Sequence, residues 1–291
     1  MTDAKTTRRS TLLVFLSSVF FATGGLFFKI ITWDALAIGG ARSIISLIVL
    51  VIYLAFKKHK YKFTVSSVVA ALSVAATNTL YSIANKLTTA GNTIVLQFSM
   101  PAFVIVIMLV WFHKKPTKLE LVTCFAVLAG IVCFFVDSLS AGNMLGNALA
   151  LLSGITYALY FIFSSREDSE PFTAVVLGSV ITSLIGIPSL LRTDILGTPW
   201  PMLLAVLALG VVQQGMAKLC FSAGIQNTPA VAAGLLSGFE PVLNPILVAV
   251  FYHEYLSPLS IVGAVIVLGA IIFYNYRAAR DNDAEQSAGE S

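Results

Sequence analysis

Three ionisable side chains stand where the sequence is otherwise apolar. Arg42 is followed by SIISLIVLVIYLAF, Lys218 lies in LALGVVQQGMAKLCFSAG, and Glu240 lies in VAAGLLSGFEPVLNPILVAV. A single charge at the centre of a hydrocarbon layer costs at least about 2.5 to 3.5 kcal/mol on insertion scales, so such groups turn to water, to a cavity or to one another. Two chemistries fit. The three groups can line a polar cavity that binds a solute or carries a proton, or Arg42 and Lys218 can pair with helix-end carbonyls or with Glu240 and lock helices together. Burial disfavours the charged form of a carboxyl group, which makes Glu240 the proton candidate unless a cation holds it ionised.

Other polar residues share these apolar stretches: Asn78, Tyr81, Gln97, Tyr157, Tyr160, Gln213, Gln214 and Asn244. Each is a candidate for lining the same cavity, and each serves equally well as hydrogen-bonding glue between helices. Pro241 and Pro245 follow Glu240, and Pro101 follows Gln97 by about one turn. Proline removes an amide donor and frees a carbonyl one turn earlier, so all three mark expected kinks that offer carbonyls to a ligand.

The elements that carry these residues are ten apolar stretches, at 11 to 31, 36 to 56, 66 to 85, 93 to 112, 118 to 136, 145 to 164, 173 to 190, 201 to 224, 230 to 251 and 258 to 276. A bilayer core about 30 Å thick needs about 20 helical residues. Unpaired backbone amides cannot face lipid, and the alternating pattern of a barrel is missing. The chain therefore reads as an all-α integral membrane protein. Its composition agrees, with 57% hydrophobic and 11% charged residues and a mean hydropathy of +0.89. Three cysteines, Cys124, Cys133 and Cys220, lie inside the stretches without metal-ligand spacing and read as reduced core residues. No metal or cofactor is expected.

The net charge of +4 is a matter of topology rather than of a nucleic-acid partner. Thirteen of the eighteen Lys and Arg residues fall on one side when the N-terminus is placed in the cytoplasm, and only Arg192 lies plainly in an outer loop. By the positive-inside rule both termini are cytoplasmic and the protein is multi-pass in the cell membrane. Residues 1–10 form a cytoplasmic lead segment. The polar tail 277–291 is expected to be disordered.

Residues 81–135 align with 221–275 at a constant shift of 140, without a gap and with 12 identities in 55 positions. The informative pairs are Ser82 with Ser222, Thr88 with Thr228, Pro101 with Pro241, and His113 with His253. LSSVFFA (16–22) and LSGITYA (152–158) open the first and sixth stretches at a shift of 136. The chain thus divides into repeats at 11–137 and 145–276 with five spans each. Because five is odd, the second copy is inverted in the membrane, and two inverted five-helix repeats around a central cavity are the expected architecture. The pairs Gly24 with Gly25, Gly39 with Gly40, and Gly263 with Gly269 suit close helix contact.

ALAIGGARSIISLIVLVIYLAF (35–56) and the stretch 221–274, with its Glu-Pro at Glu240 and Pro241 and Glu254 about four turns on, resemble the EamA family of the drug/metabolite transporter superfamily. The resemblance covers about residues 11–276. It implies a basket-shaped bundle with a central cavity that moves small metabolites, often amino acids or their analogues, commonly outward. Arg42 matches the family's arginine in span 2, and Glu240, Pro241 and Glu254 match its span 9 pattern. Lys114 stands opposite Glu254 in the first repeat, where the family often has Glu, so the halves are electrostatically unequal.

The reading reached is a secondary transporter of a small-molecule solute, monomeric or weakly homo-oligomeric, driven by a solute gradient or by protons. No G-x-x-x-x-G-K-[ST] loop for a nucleotide is present. The alternatives are a channel, a scaffold, or an intramembrane enzyme. Against the last, His59, His113 and His253 sit at span ends or in loops, and neither HExxH nor GxSxG occurs.

Overall fold

In the computed structural model, residues 4–28, 30–88, 90–139, 143–253 and 256–289 are described. Ten helices among them are long and apolar enough to cross a membrane: Thr6–Phe28, Ala35–Phe56, Val65–Asn85, Asn92–Val110, Lys118–Phe135, Met144–Ser164, Pro171–Leu190, Trp200–Asn227, Ala230–Tyr252 and Pro258–Arg277, here spans 1 to 10. Many residues in mid-span point outward, such as Val122, Phe125 and Ile272, the last two 77% and 69% exposed. In water such a surface would aggregate. In a bilayer it is the face lipid requires.

The span starts are set by local chemistry. The first amides of a helix lack intrahelical partners, and a short polar side chain at the cap satisfies them. Asp34 accepts from the Leu36 amide and Thr64 from the Ser67 amide. Thr117 and Glu120 form a reciprocal capping box before span 5. Asn143 caps span 6, and the Glu170 carboxylate accepts from the Phe172 and Thr173 amides to start span 7.

Spans 4 and 9 are broken at matching places. Helix Ala90–Gln97 stops, turns through Phe98 and Ser99, and resumes as Met100–Val110. Helix Ala230–Ser237 turns through Gly238 and Phe239 and resumes as Glu240–Tyr252. Pro101 and Pro241 therefore occupy the first turn of a new half-helix, where a missing amide costs nothing, instead of kinking a continuous one. Pro245 lies inside its helix. His113 and His253, again 140 apart, both take positive φ, 52° and 54°, just past these spans. Span 1 is interrupted at Thr23, between Ala4–Ala22 and Gly24–Phe28.

Packing runs between the chain's halves. Span 1 lies against span 8, 2 against 7, 3 against 6 and 7, 2 against 8, and 5 against 10. Two of these contacts require glycine. A Cβ on Gly186 in span 7 would collide with the Gly40 backbone in span 2, and one on Gly263 in span 10 with the Phe134 amide and Gly130 carbonyl in span 5. By contrast, Gly39 and Gly269 have nothing within 4 Å of an added Cβ. They do not make the close contacts their pairing in sequence led us to expect.

The last helix does not stop at the membrane span. It runs Pro258–Gly289, so the tail expected to be disordered carries helical backbone. Its residues Ala278–Gly289 contain Ala, Arg, Glu and Gln and no Pro, a composition that lets a helix already nucleated in the span propagate. Glu254, part of the span 9 pattern in the sequence, lies outside the described residues.

Candidate functional site

Arg42 is the centre of the buried polar cluster. Seven residues into span 2, it is 7% exposed, and its Nη1 donates to Gln213 Oε1 of span 8 at 3.2 Å. Its guanidinium carbon lies 5.2 Å from the Phe28 ring centroid of span 1, a cation–π contact. Its Nε is buried and has no partner.

Gln213 reaches Arg42 because span 8 is not a plain α-helix. Leu209–Met216 is a π-helical stretch, which adds a residue to the turn and changes the phase of the side chains beyond it. Gln213 and Gln214 are both buried there, at 6% and 3% exposure, and Gln214 Oε1 has no partner. Nothing in the sequence LGVVQQGM announces this geometry. It is shaped by packing, since Gly210 and Gly215 fit directly against Ile45 and Val49 of span 2.

Beyond the widened stretch stands Lys218, 2% exposed, its Nζ donating to Ser179 Oγ of span 7 at 2.9 Å. Ser179 itself donates to the Val175 carbonyl at 2.7 Å. Span 7 carries further buried hydroxyls at Thr182 and Ser183. The sequence reading missed this polar stripe. The spacing of Ser179, Thr182, Ser183 and Gly186 along one helical face is the signal that was available.

Glu240 opens the second half of span 9. It is partly buried, and its Oε2 is sealed from solvent without a partner. It lies within electrostatic range of Arg42, Tyr81 and Tyr157. Yet among the described residues no carboxylate lies within ion-pair distance of Arg42 or Lys218, so the locked pair considered from sequence does not form. Asn244, one turn on, packs against Gly25 in span 1, where an added Cβ would overlap its side-chain amide. Tyr252 Oη donates to the Leu26 carbonyl at 2.7 Å. Span 9 is thus seated on the broken end of span 1.

The cleft beside Arg42 is narrow, with a volume of about 10 Å³ open to a water-sized group. Asn78, Thr79 and Ser82 of span 3 and Thr182 and Gly186 of span 7 line it together with Arg42. Tyr81 and Tyr157 lie on the Glu240 side. Tyr160 is placed differently from the sequence expectation. It is enclosed in the apolar core, stacked on Phe221 at 4.8 Å and near-parallel to Tyr157 at 6.3 Å, with its hydroxyl buried and unpaired. Gln97 is buried at the break in span 4, where its backbone packs on Gly154 of span 6, and no hydrogen bond joins it to Arg42, Lys218 or Glu240.

The two polar ends of the bundle are tied separately. At one end Ser66 donates to Asp168 at 2.6 Å, Arg166 donates to both, and the Glu170 amide donates to Ser67 at 2.7 Å. The Ser66 hydroxyl, then Arg166, hold the Asp168 carboxyl below its ordinary range. His59 Nε2 stands 3.2 Å from Glu170 Oε2. At the other end Ser189 donates to Asp34 at 2.7 Å and Trp33 to Thr198 at 3.1 Å. Among the described residues no group of three or more His, Cys, Asp or Glu could hold a metal ion.

A bundle of ten membrane-crossing helices with broken spans and a buried, charged and unsaturated centre defines a multi-pass membrane transporter. Comparison with known proteins places it further. The model of the EamA-like transporter family matches residues 8–136 and again 144–276. The chain belongs to that family, whose members are transporters and not enzymes.

Among its relatives is the uncharacterised transporter YwfM of Bacillus subtilis, 29% identical over 164 residues, 55% of each chain. The threonine/homoserine exporter RhtA of Escherichia coli K12 is 25% identical over 207 residues, covering 69% of this chain and 66% of RhtA. The chain thus spans between about half and two thirds of the length of these relatives. A solved crystal structure superposes with a TM-score of 0.79 at 16% identity, covering 91% of this chain and 96% of the other, and so shares the fold.

Proposed function

We propose that this protein is a secondary transporter that carries an amphoteric small metabolite, an amino acid or a close analogue, outward across the cytoplasmic membrane. The observation that carries the reading is the separation of charge at the centre. Arg42 and Lys218 are buried with spare donors, while Glu240 keeps a sealed carboxylate oxygen unpaired. A molecule with its own carboxylate and ammonium completes both sides. Buried charges left unsatisfied in the empty site make binding favourable when a ligand with matching groups arrives. The relative named as a threonine/homoserine exporter agrees with this chemistry and with outward movement.

Alternating access follows from the repeat. Exchanging spans 1–5 with 6–10 maps the 1–8 contact onto 6–3, the 2–8 contact onto 7–3, and leaves 2–7 and 5–10 on themselves. With both termini cytoplasmic, the units at 11–137 and 145–276 are inverted, and the broken spans 4 and 9 are equivalent. Rocking one unit against the other then opens the centre to each side in turn. Glu240 is the group that holds the substrate ammonium.

Counterflow tests this. Proteoliposomes preloaded with an unlabelled amino acid should transiently accumulate the labelled one against its gradient. A channel gives simple equilibration, and absence of exchange with every amphoteric solute tried would end the proposal.

A further inference from the structure

We infer that the preferred substrate carries a second acidic group, held by Lys218, so that the site selects dicarboxylic over neutral amino acids. The inference rests on the transporter reading above and sharpens it. Among the described residues Arg42 and Lys218 are the only buried basic side chains, and the carboxyl near Arg42 is that of Glu240. With these groups ionised the empty centre has one positive charge in excess. A neutral amino acid brings one carboxylate and one ammonium and leaves that excess in place. An amino acid with two carboxylates and one ammonium cancels it, and in a medium of low dielectric an uncompensated charge is the costlier state.

The donor count points the same way. The Lys218 ammonium has three N–H groups, and its one hydrogen bond is to Ser179, a neutral hydroxyl already donating to Val175. Arg42 has five N–H groups, one on Gln213 and one, on Nε, buried with no acceptor. Phe28 covers the face of the guanidinium, so its free edge is what remains for a carboxylate. Gln213, which holds Arg42, and Lys218 stand five positions apart on span 8. Across a π-helical stretch that is about one turn, so the Arg42 guanidinium, reaching Gln213 from span 2, and the Lys218 ammonium on span 8 lie about one turn apart in level and can each take one carboxylate of a short dicarboxylic ligand. A single carboxylate on Arg42 leaves the Lys218 donors unused.

The test is equilibrium binding of L-aspartate, L-threonine and succinate to the purified full-length protein in lipid nanodiscs. Wild type should bind aspartate at least about tenfold more tightly than threonine, equivalent to roughly 1.4 kcal/mol. Lys218→Gln should remove that preference by weakening aspartate alone, and Lys218→Arg should retain it. Threonine binding as tightly as aspartate, or Lys218→Gln weakening both equally, overturns the inference while leaving an amino-acid transporter standing. Binding of succinate alone supports the paired cations and refutes the ammonium role of Glu240. Binding of none of the three overturns both readings. Should Lys218→Gln fail to give monodisperse protein, the wild-type ratio and Lys218→Arg decide.

Discussion

Replacing Glu240 by Gln keeps the size of the side chain and one carbonyl acceptor while removing the charge. Among the described residues this carboxyl makes no ion pair, and its Oε2 has no partner, so no described contact depends on its being ionised. We therefore expect the variant to insert normally and to keep its Tm within about 2 °C, the shift that roughly half a kcal/mol produces in a chain of this size. The transport effect is larger. A hydrogen bond to a charged group contributes about 1.5 to 3 kcal/mol and a neutral one about 0.5 to 1.5 kcal/mol, so the loss on a substrate ammonium is at least about 1 kcal/mol. The Coulomb energy of two unit charges 4 Å apart at an effective dielectric constant of 20, about 4 kcal/mol, is the ceiling. Transport should fall at least about fivefold. The assay is counterflow in proteoliposomes across a range of pH, with the same protein mass reconstituted for each variant. Normal exchange with normal pH dependence in Glu240→Gln would assign this residue to helix packing and leave Arg42 as the binding group.

Reporter fusions after Lys62 and after Asn143 should read opposite sides of the membrane, and finding both on one side would remove the inverted arrangement. Gly186→Ala should destabilise by about 1 to 3 kcal/mol through overpacking on the Gly40 backbone, whereas Gly39→Ala, with open space around it, should leave the Tm near wild type. Thermal unfolding followed by size-exclusion chromatography separates the two. The Asp168 carboxyl is held below its ordinary range when folded, so its contribution to stability is present above the unfolded value of about 3.9 and is lost as pH falls through the lowered one. Asp168→Asn should accordingly lower the Tm at neutral pH, and the Tm curves of variant and wild type should converge below about pH 4, the shift expected at ordinary carboxylate values.

The number of membrane helices and their approximate ends could be read from the chain because the quantity that decides them is local. About twenty consecutive apolar residues either match a bilayer core or do not, and Asp34, Thr64, Thr117, Asn143 and Glu170 satisfy the free amides at the starts. The matching breaks near Pro101 and Pro241 were visible for a similar reason, since proline acts on its own turn. That Arg42, Lys218 and Glu240 needed partners was also evident, because a charge in hydrocarbon is costly wherever it sits.

Which partners they take was decided only by the tertiary structure. Gln213 lies 171 positions from Arg42, and Ser179 lies 39 from Lys218. Each contact depends on the rotation of one helix about its axis relative to another, and that rotation is set by fits such as Gly186 on Gly40 and Gly210 on Ile45. The widened stretch Leu209–Met216 shifts the phase of everything after it, so a regular 3.6-residue period carried from Trp200 misplaces Lys218. Tyr160 shows the same limit from the other side. Its polar hydroxyl marked it for a cavity, but packing against Phe221 put it in the core. The length of an apolar run is a property of one segment, whereas the pairing of buried polar groups is a property of the whole bundle.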